Sequence, residues 1–305
     1  MSKKIILLAG PTASGKSKLA IRLAKKFDGE IINADSMQIF KEFSILSSRP
    51  TSKDTKNVKH HLYGIISVKK YFSAGDWLKR VKKIINICLK KKKLPIIVGG
   101  TGLYFNAITK GLSKIPEIDL RTRNKVRNLY KRIGFIKFYN RLIKLDPKIK
   151  GKILATDTQR VQRAYEVKLK TKKSLFDWFA NTKSDFLDFE IRKIFVDIPR
   201  DELLKKINQR TEQMFKNKCI SEVKKFNNLK INKNLSSNKL IGIQEINDFL
   251  KGTITIDKCK DLINIKTRQY AKRQNTWARG HMHNWNKLYS KNLSILLKKS
   301  SKVVS

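Results

Sequence analysis

Eight residues near the start carry the most legible chemistry. Gly10, Pro11, Thr12, Ala13, Ser14, Gly15, Lys16 and Ser17 fit GxxxxGK[ST] between an apolar run and an amphipathic stretch. At this spacing successive backbone N–H groups turn inward around phosphate oxygens, and the following helix adds the positive end of its dipole. Lys16 supplies a mobile cation and Ser17 a hydroxyl for Mg²⁺, the pattern of a nucleotide- or ATP-binding loop. Asp35, closing a second apolar run, is a natural general base for a nucleophile beside bound phosphates; capping the segment after it is the alternative reading. Thr101, beyond another apolar run, can hydrogen-bond a phosphate or a substrate.

These groups need a common sheet edge. Ile5 to Ala9 reads as a buried strand, and a helix follows from about Lys16 to Phe27, with Leu19, Ala20, Leu23, Ala24 and Phe27 on one face. Ile31–Ile32, Leu62–Val68, Pro95–Val98 and Ile194–Ile198 read as further strands, and Trp77 to Leu89 as an amphipathic helix. Strands alternating with helices imply an α/β fold: a P-loop NTPase-like parallel sheet core with a helical insertion domain and C-terminal helices. The predicted core is residues 1–111 and 190–290, the insertion 112–189, and 291–305 a polar, frayed tail. The strand Pro95–Val98 runs into Gly-Gly-Thr-Gly without the acid a hydrolytic motor places there. Two enzyme readings stay open, a P-loop small-molecule kinase and a transferase with a nucleic-acid acceptor, beside a nucleic-acid-binding NTPase.

Charge points to a polyanionic partner: 69 Lys+Arg against 24 Asp+Glu give +45 over 305 residues. The chain is rich in Lys, Asn and Ile, a drift typical of AT-rich coding sequence, so its 16 arginines are more informative than its lysines. Cys88, Cys219 and Cys259 form no CxxC and no even framework, which suits a reducing cytosol. No apolar run approaches a membrane span, so cytoplasmic location without membrane contact is expected, with the chain acting as a monomer.

Further segments discriminate. GPTASGKS, then IINADSMQIF with Asp35, Ser36, Met37 and Gln38, then HHL from His60, PIIVGGTGLY through Tyr104, DTQRVQRAYEV from Asp157, and TRQYAKRQNTWARG from Thr267 occur in order. The set resembles the tRNA dimethylallyltransferase (tRNA isopentenyltransferase) family, bacterial type, over about residues 4 to 280.

The resemblance implies transfer of a dimethylallyl group from dimethylallyl diphosphate to N6 of adenosine 37, beside the anticodon. It implies that residues 10–17 grip the diphosphate with Mg²⁺ on Ser17, and that Asp35, Thr101 and Lys16 serve catalysis. Asp35 to Gln38 and Thr101 would meet the extruded base, a geometry that requires base flipping. Arg123, Gln159, Arg160, Val161, Gln162 and Arg163 would contact the tRNA anticodon stem-loop. On the last long helix Arg268, Lys272 and Arg279 share a face while Leu262, Tyr270 and Trp277 turn inward; Val161, Tyr165 and Leu169 form a buried stripe. Two departures stand out: the family's IGTAKP appears as Ile45-Leu46-Ser47-Ser48-Arg49-Pro50, and Gly-Tyr-Lys/Arg-Glu as Gly242-Ile243-Gln244-Glu245. His60 and His61 read as structural, and His281-Met282-His283 lacks partner cysteines for a metal.

Overall fold

The computed structural model describes residues 3–232 and 234–305. Strand β1 (Lys4–Ala9) is followed by helix α1 (Lys16–Lys26), β2 (Gly29–Asn33), the single turn α2 (Ser52–Thr55), β3 (His60–His61), α3 (Ala74–Lys90), β4 (Leu94–Gly99) and α4 (Gly102–Thr109). Helices α5 (Leu120–Leu145), α6 (Thr158–Thr171) and α7 (Leu175–Ala180) come next. The chain then continues through β5 (Glu190–Val196), α8 (Arg200–Lys216), α9 (Cys219–Asn228), α10 (Ile243–Leu250), α11 (Ile256–His281), β6 (Asn286–Leu288) and α12 (Leu293–Val304). Two compact units result: Met1–Ala107 with Phe186–Ser305, and Ile108–Asp185.

In the first unit six parallel strands lie in the order β3-β2-β4-β1-β5-β6. The central strand β1 is apolar on both faces, as a sheet covered on both sides demands, and Ile5 to Leu8 are fully buried. One face packs Ile6, Leu8, Ile96 and Val98 under Leu19 and Leu23 of α1. Helix α3 starts at a Ser73–Asp76 capping box and buries Trp77, Leu78, Val81, Ile85 and Cys88. A separate cluster joins Phe40, Phe43 and Leu46 to Met214, Val223, Phe226, Ile246 and Ile263 from α8 to α11.

Three sequence expectations change. The strand expected over Leu62–Val68 does not form: the two-residue β3 ends at His61, because Leu62 and Gly64 take positive φ (64° and 59°) and turn the chain away. A sixth strand, β6, lies parallel to β5 where only helix was expected; at three residues it is too short to show a period. The frayed tail is helix α12, with Leu296 and Val304 buried in the core beside α1. Its apolar residues at 293, 296, 297, 303 and 304 share one helical face, which decides order over the polar composition.

The second unit is helical. Asp119 caps α5 through the Thr122 amide at 2.7 Å, and Asp157 caps α6 through the Arg160 amide at 3.1 Å. Gly134, at φ 74° and ψ 171°, breaks α5 into two helical segments. Phe138, Leu142, Ile149, Val161, Ala164 and Val167 form the core of this unit. Among the described residues no helix is long and apolar enough to cross a membrane.

Candidate active site

The phosphate loop runs from the end of β1 into α1. Gly15 takes φ +87° at the helix N-cap, a conformation that costs little without a Cβ. The Ser14 amide donates to Pro11 O at 3.2 Å, closing the turn, while the buried Ser14 hydroxyl has no hydrogen-bond partner among the described residues. A buried donor left free at the mouth of an anion loop fits an oxygen-rich ligand. Lys16 folds back so that its ammonium donates to Pro11 O at 3.0 Å. Burial pushes its pKa down to about 8; Asp35 opposes the shift and Arg210 adds to it. Ser17 is exposed in the first turn of α1. One hydroxyl beside phosphate oxygens fits Mg²⁺, which keeps several waters and takes few protein ligands.

Asp35 lies just beyond β2, set by the fully buried Asn33. Asn33 Oδ1 accepts the Asp35 amide at 2.8 Å, and Nδ2 of the same side chain donates to Asp35 O and Leu62 O, both at 3.0 Å. Asp35 Oδ1 accepts the Met37 amide at 2.8 Å, which is the local capping role, and the residue itself is half-buried. Thr101 sits beside it: its Oγ1 accepts the Ser36 amide at 3.0 Å, and its own amide donates to Ala34 O at 3.1 Å. Trp77 donates its indole N–H to Asn33 O at 2.8 Å and stacks on Tyr104 with centroids 4.1 Å apart. Burial raises the hydroxyls of Tyr63, Tyr104 and Tyr270 above the usual range, and the charge of Asp35 adds to each shift.

Two groups that sequence reading missed complete the site. Arg210 on α8 donates from Nη1 to the Thr12 hydroxyl at 2.6 Å and from Nη2 to Leu46 O at 3.3 Å. Its signal was present: Leu203, Ile207, Arg210 and Met214 recur at four-, three- and four-residue steps, placing an arginine on the buried stripe of the helix. Gln274 on α11 accepts the Thr12 amide at 2.8 Å and donates to Gly100 O at 2.9 Å, tying the loop after β1 to the loop after β4. It lies within the TRQYAKRQNTWARG segment, whose spacing alone gives it no role.

The other predicted residues separate by unit. Gln38 donates to Ser47 O and Ser48 O at 2.9 and 3.1 Å, and Met37 packs against the apolar cluster behind it. Arg268, Lys272 and Arg279 are exposed along α11, and Leu262, Tyr270 and Trp277 are partly buried. In the second unit Gln159 and Arg160 are exposed, Gln162 partly so. Arg163 lies 3.4 Å from Glu166, and Arg123 has its Nε buried without a partner among the described residues. Val161 is 1% exposed and belongs to the core, which corrects its expected tRNA contact: its side chain is withdrawn from any ligand. The two departures from the family pattern meet, since Leu46 packs over Gly242, where a Cβ would come within 2.7 Å of it.

His60 and His61 serve the sheet. The buried Glu30 carboxylate takes a 2.5 Å hydrogen bond from His61 and a 3.5 Å one from Cys88, binding β2 to β3 and α3. These three side chains also have the spacing of a possible metal site, yet hydrogen bonds within the group already satisfy the carboxylate. Further along, Trp277 stacks on His281 with centroids 4.4 Å apart.

The family model described as IPP transferase matches residues 38–281. A protein of Pelagibacter ubique named tRNA dimethylallyltransferase is 55% identical over 98% of this chain and 96% of its own length. One of Rickettsia prowazekii with the same name is 42% identical over 91% of this chain and 89% of its own. The crystal structure of the tRNA isopentenylpyrophosphate transferase from Bacillus halodurans superposes with a TM-score of 0.68 at 29% identity, over 99% of both chains. A eukaryotic dimethylallyltransferase acting on tRNA superposes with a TM-score of 0.77 at 27% identity, over 91% of this chain and 70% of that one. A sheet edge built around a phosphate loop and Asp35, joined to a family match across most of the sequence, places this chain in the IPP transferase family, with the tRNA dimethylallyltransferases.

Proposed function

We propose that the protein transfers a dimethylallyl group from dimethylallyl diphosphate to N6 of adenosine 37 in tRNA, releasing diphosphate. The observation that carries the reading is one edge of the parallel sheet holding Asp35 after β2 and, after β1, the loop of Lys16 whose Thr12 hydroxyl Arg210 reaches at 2.6 Å, an acceptor for a proton on the same edge as donors for a leaving anion. The N6 nitrogen attacks C1 of the allyl group as the C1–O bond to diphosphate breaks, and the electron pair of that bond leaves with the diphosphate. The N6 proton passes to the Asp35 carboxylate. Backbone amides at Ala13 and from Gly15 to Ser17, with Lys16 and Arg210, serve the charge that grows on the leaving oxygens, where preorganised donors lower a barrier most. Mg²⁺, held by Ser17 and the phosphates, would add neutralising charge. Thr101 and Asn33 hold Asp35 and Ser36 in place through the bonds described above.

Exposed cations on α11 supply groups for RNA phosphates, and the second unit, taken by itself, offers Gln159, Arg160 and Arg163 to the anticodon stem-loop, whose splayed bases suit Arg contacts and stacking. We infer action as a monomer in the cytoplasm, consistent with three free cysteines. The family assignment does not favour the kinase reading. The decisive experiment supplies labelled dimethylallyl diphosphate, Mg²⁺ and unmodified tRNA, then maps label by nuclease digestion. Label in adenosine 37 is the expected result; label elsewhere, or phosphorylation of a small molecule from ATP with indifference to tRNA, would overturn it.

A further inference from the structure

We propose that Glu222, on α9 and outside the substrate-facing edge, is a positioning residue for the reaction, acting through the loop Ser44–Ser48 on Arg210. The inference rests on the prenyl-transfer reading above. Glu222 is 8% exposed and its carboxylate sits in three consecutive backbone amides. Oε1 accepts from Ser44 N at 2.7 Å, Ser44 Oγ at 3.1 Å and Ile45 N at 2.9 Å; Oε2 accepts from Leu46 N at 2.9 Å. Such a concavity of N–H groups binds an anion, and here the protein supplies its own.

The loop held this way carries an acceptor for Arg210 and is anchored further by Gln38. Leu46 O, on the residue whose amide Glu222 holds, accepts from Arg210 Nη2 at 3.3 Å, while Nη1 of the same guanidinium reaches the Thr12 hydroxyl of the phosphate loop at 2.6 Å. Ser47 O and Ser48 O accept from Gln38, three residues from Asp35. Leu46 is wedged against Gly242, so the loop is fixed by its side chain as well as its amides. A glutamine at 222 keeps the shape but offers one acceptor oxygen and turns an NH₂ toward backbone donors, which loosens the loop without emptying the core.

The test is a double-mutant cycle of Glu222→Gln with Arg210→Ala, read as kcat/KM for dimethylallyl diphosphate with saturating tRNA. Glu222→Gln should lower kcat/KM about tenfold with Arg210 present and less than about twofold in the Arg210→Ala background. Equal losses in both backgrounds, or no loss in either, would overturn the proposal, because a residue that only stabilises the fold has no reason to act through Arg210. If Glu222→Gln does not fold, Ser44→Ala, which removes one hydrogen bond to Oε1 and leaves the amides, should give a coupled loss of about twofold to threefold; an uncoupled result overturns the proposal equally. Should the unaltered protein transfer no prenyl group, the functional reading fails. The Kd for inorganic diphosphate, measured by calorimetry on the same four proteins, then still decides the coupling.

Discussion

Arg210 and Thr12 lie 198 positions apart in sequence and 2.6 Å apart in space, the guanidinium donating to the hydroxyl that opens the phosphate loop. Burial lowers the pKa of this arginine, and Asp35 acts in the opposite direction. Because an arginine stays protonated even so, the site holds a permanent cation where Lys16 is a titratable one.

Removing that cation should cost turnover. Arg210→Ala is expected to lower kcat/KM for dimethylallyl diphosphate by about 10²–10³-fold, the usual loss for one preorganised donor to a developing anion. Arg210→Lys should recover only part, since a single ammonium cannot span Thr12 and Leu46 O in the fork geometry. Steady-state kinetics with tRNA binding measured in parallel checks it: tRNA affinity should hold while the donor's kcat/KM falls.

Asp35→Asn tests the proton acceptor. The amide oxygen of asparagine can still accept from the Met37 amide, so the local turn should survive and only basicity is lost. The expected loss in the single-turnover rate is about 10²–10⁴-fold, the typical share of general base catalysis, with substrate binding retained. A rate near that of the unaltered enzyme would remove Asp35 from proton transfer.

Lys16 gives a pH dependence of definite sign. With its pKa near 8 in the free protein, the ammonium is charged below that pH and increasingly neutral above it. The charged form favours an anionic ligand, so diphosphate binding should take up a proton and weaken as pH rises through about 8. The pH profile of kcat/KM for dimethylallyl diphosphate, which reports free-enzyme groups, should show this fall. Lys16→Arg should move the fall to higher pH even if overall activity is reduced.

Much of this site was legible because its key residues are local. The GxxxxGK[ST] spacing places its own loop, strand and helix, and Asp35 and Thr101 each follow directly on a buried apolar run. Arg210 and Gln274 were not found because they reach the loop from α8 and α11, far along the chain, and only the folded sheet brings them together. Val161 is the opposite case: it stands inside a contiguous motif, yet a helix turns one residue in three or four inward, and Val161 is one of these. The tail was misjudged by averaging its polar composition rather than following its apolar face.

The second unit yields a test of RNA contact that separates charge from fold. Arg160 is 70% exposed in its side chain and pairs with Asp157 at 3.3 Å, whereas Arg163 neighbours the buried Glu166. Arg160→Ala should therefore leave the thermal midpoint unchanged and lower the log–log salt slope of tRNA binding by about 0.7–0.9 if it neutralises one phosphate. Arg163→Ala should also destabilise, because it strips a buried carboxylate of its cation. An unchanged slope for Arg160→Ala would remove it from the phosphate contacts.

Helix α12 supplies the last prediction, one of stability alone. Leu296 is 4% exposed and packs in the cluster with Leu19, Leu23 and Val304, on the face of the sheet behind the phosphate loop helix. Truncating a leucine in such a place removes transfer free energy and leaves a cavity, so Leu296→Ala should destabilise by about 2–5 kcal/mol. A frayed segment would show no such cost. Ile295, half exposed one residue earlier, is the control: Ile295→Ala should change the denaturation midpoint far less. Urea denaturation followed by circular dichroism separates the cases. Because α1 carries Lys16 and Ser17 on its first turn and shares this core with α12, the Leu296→Ala protein should also bind diphosphate more weakly as temperature approaches its midpoint, while Ile295→Ala should not.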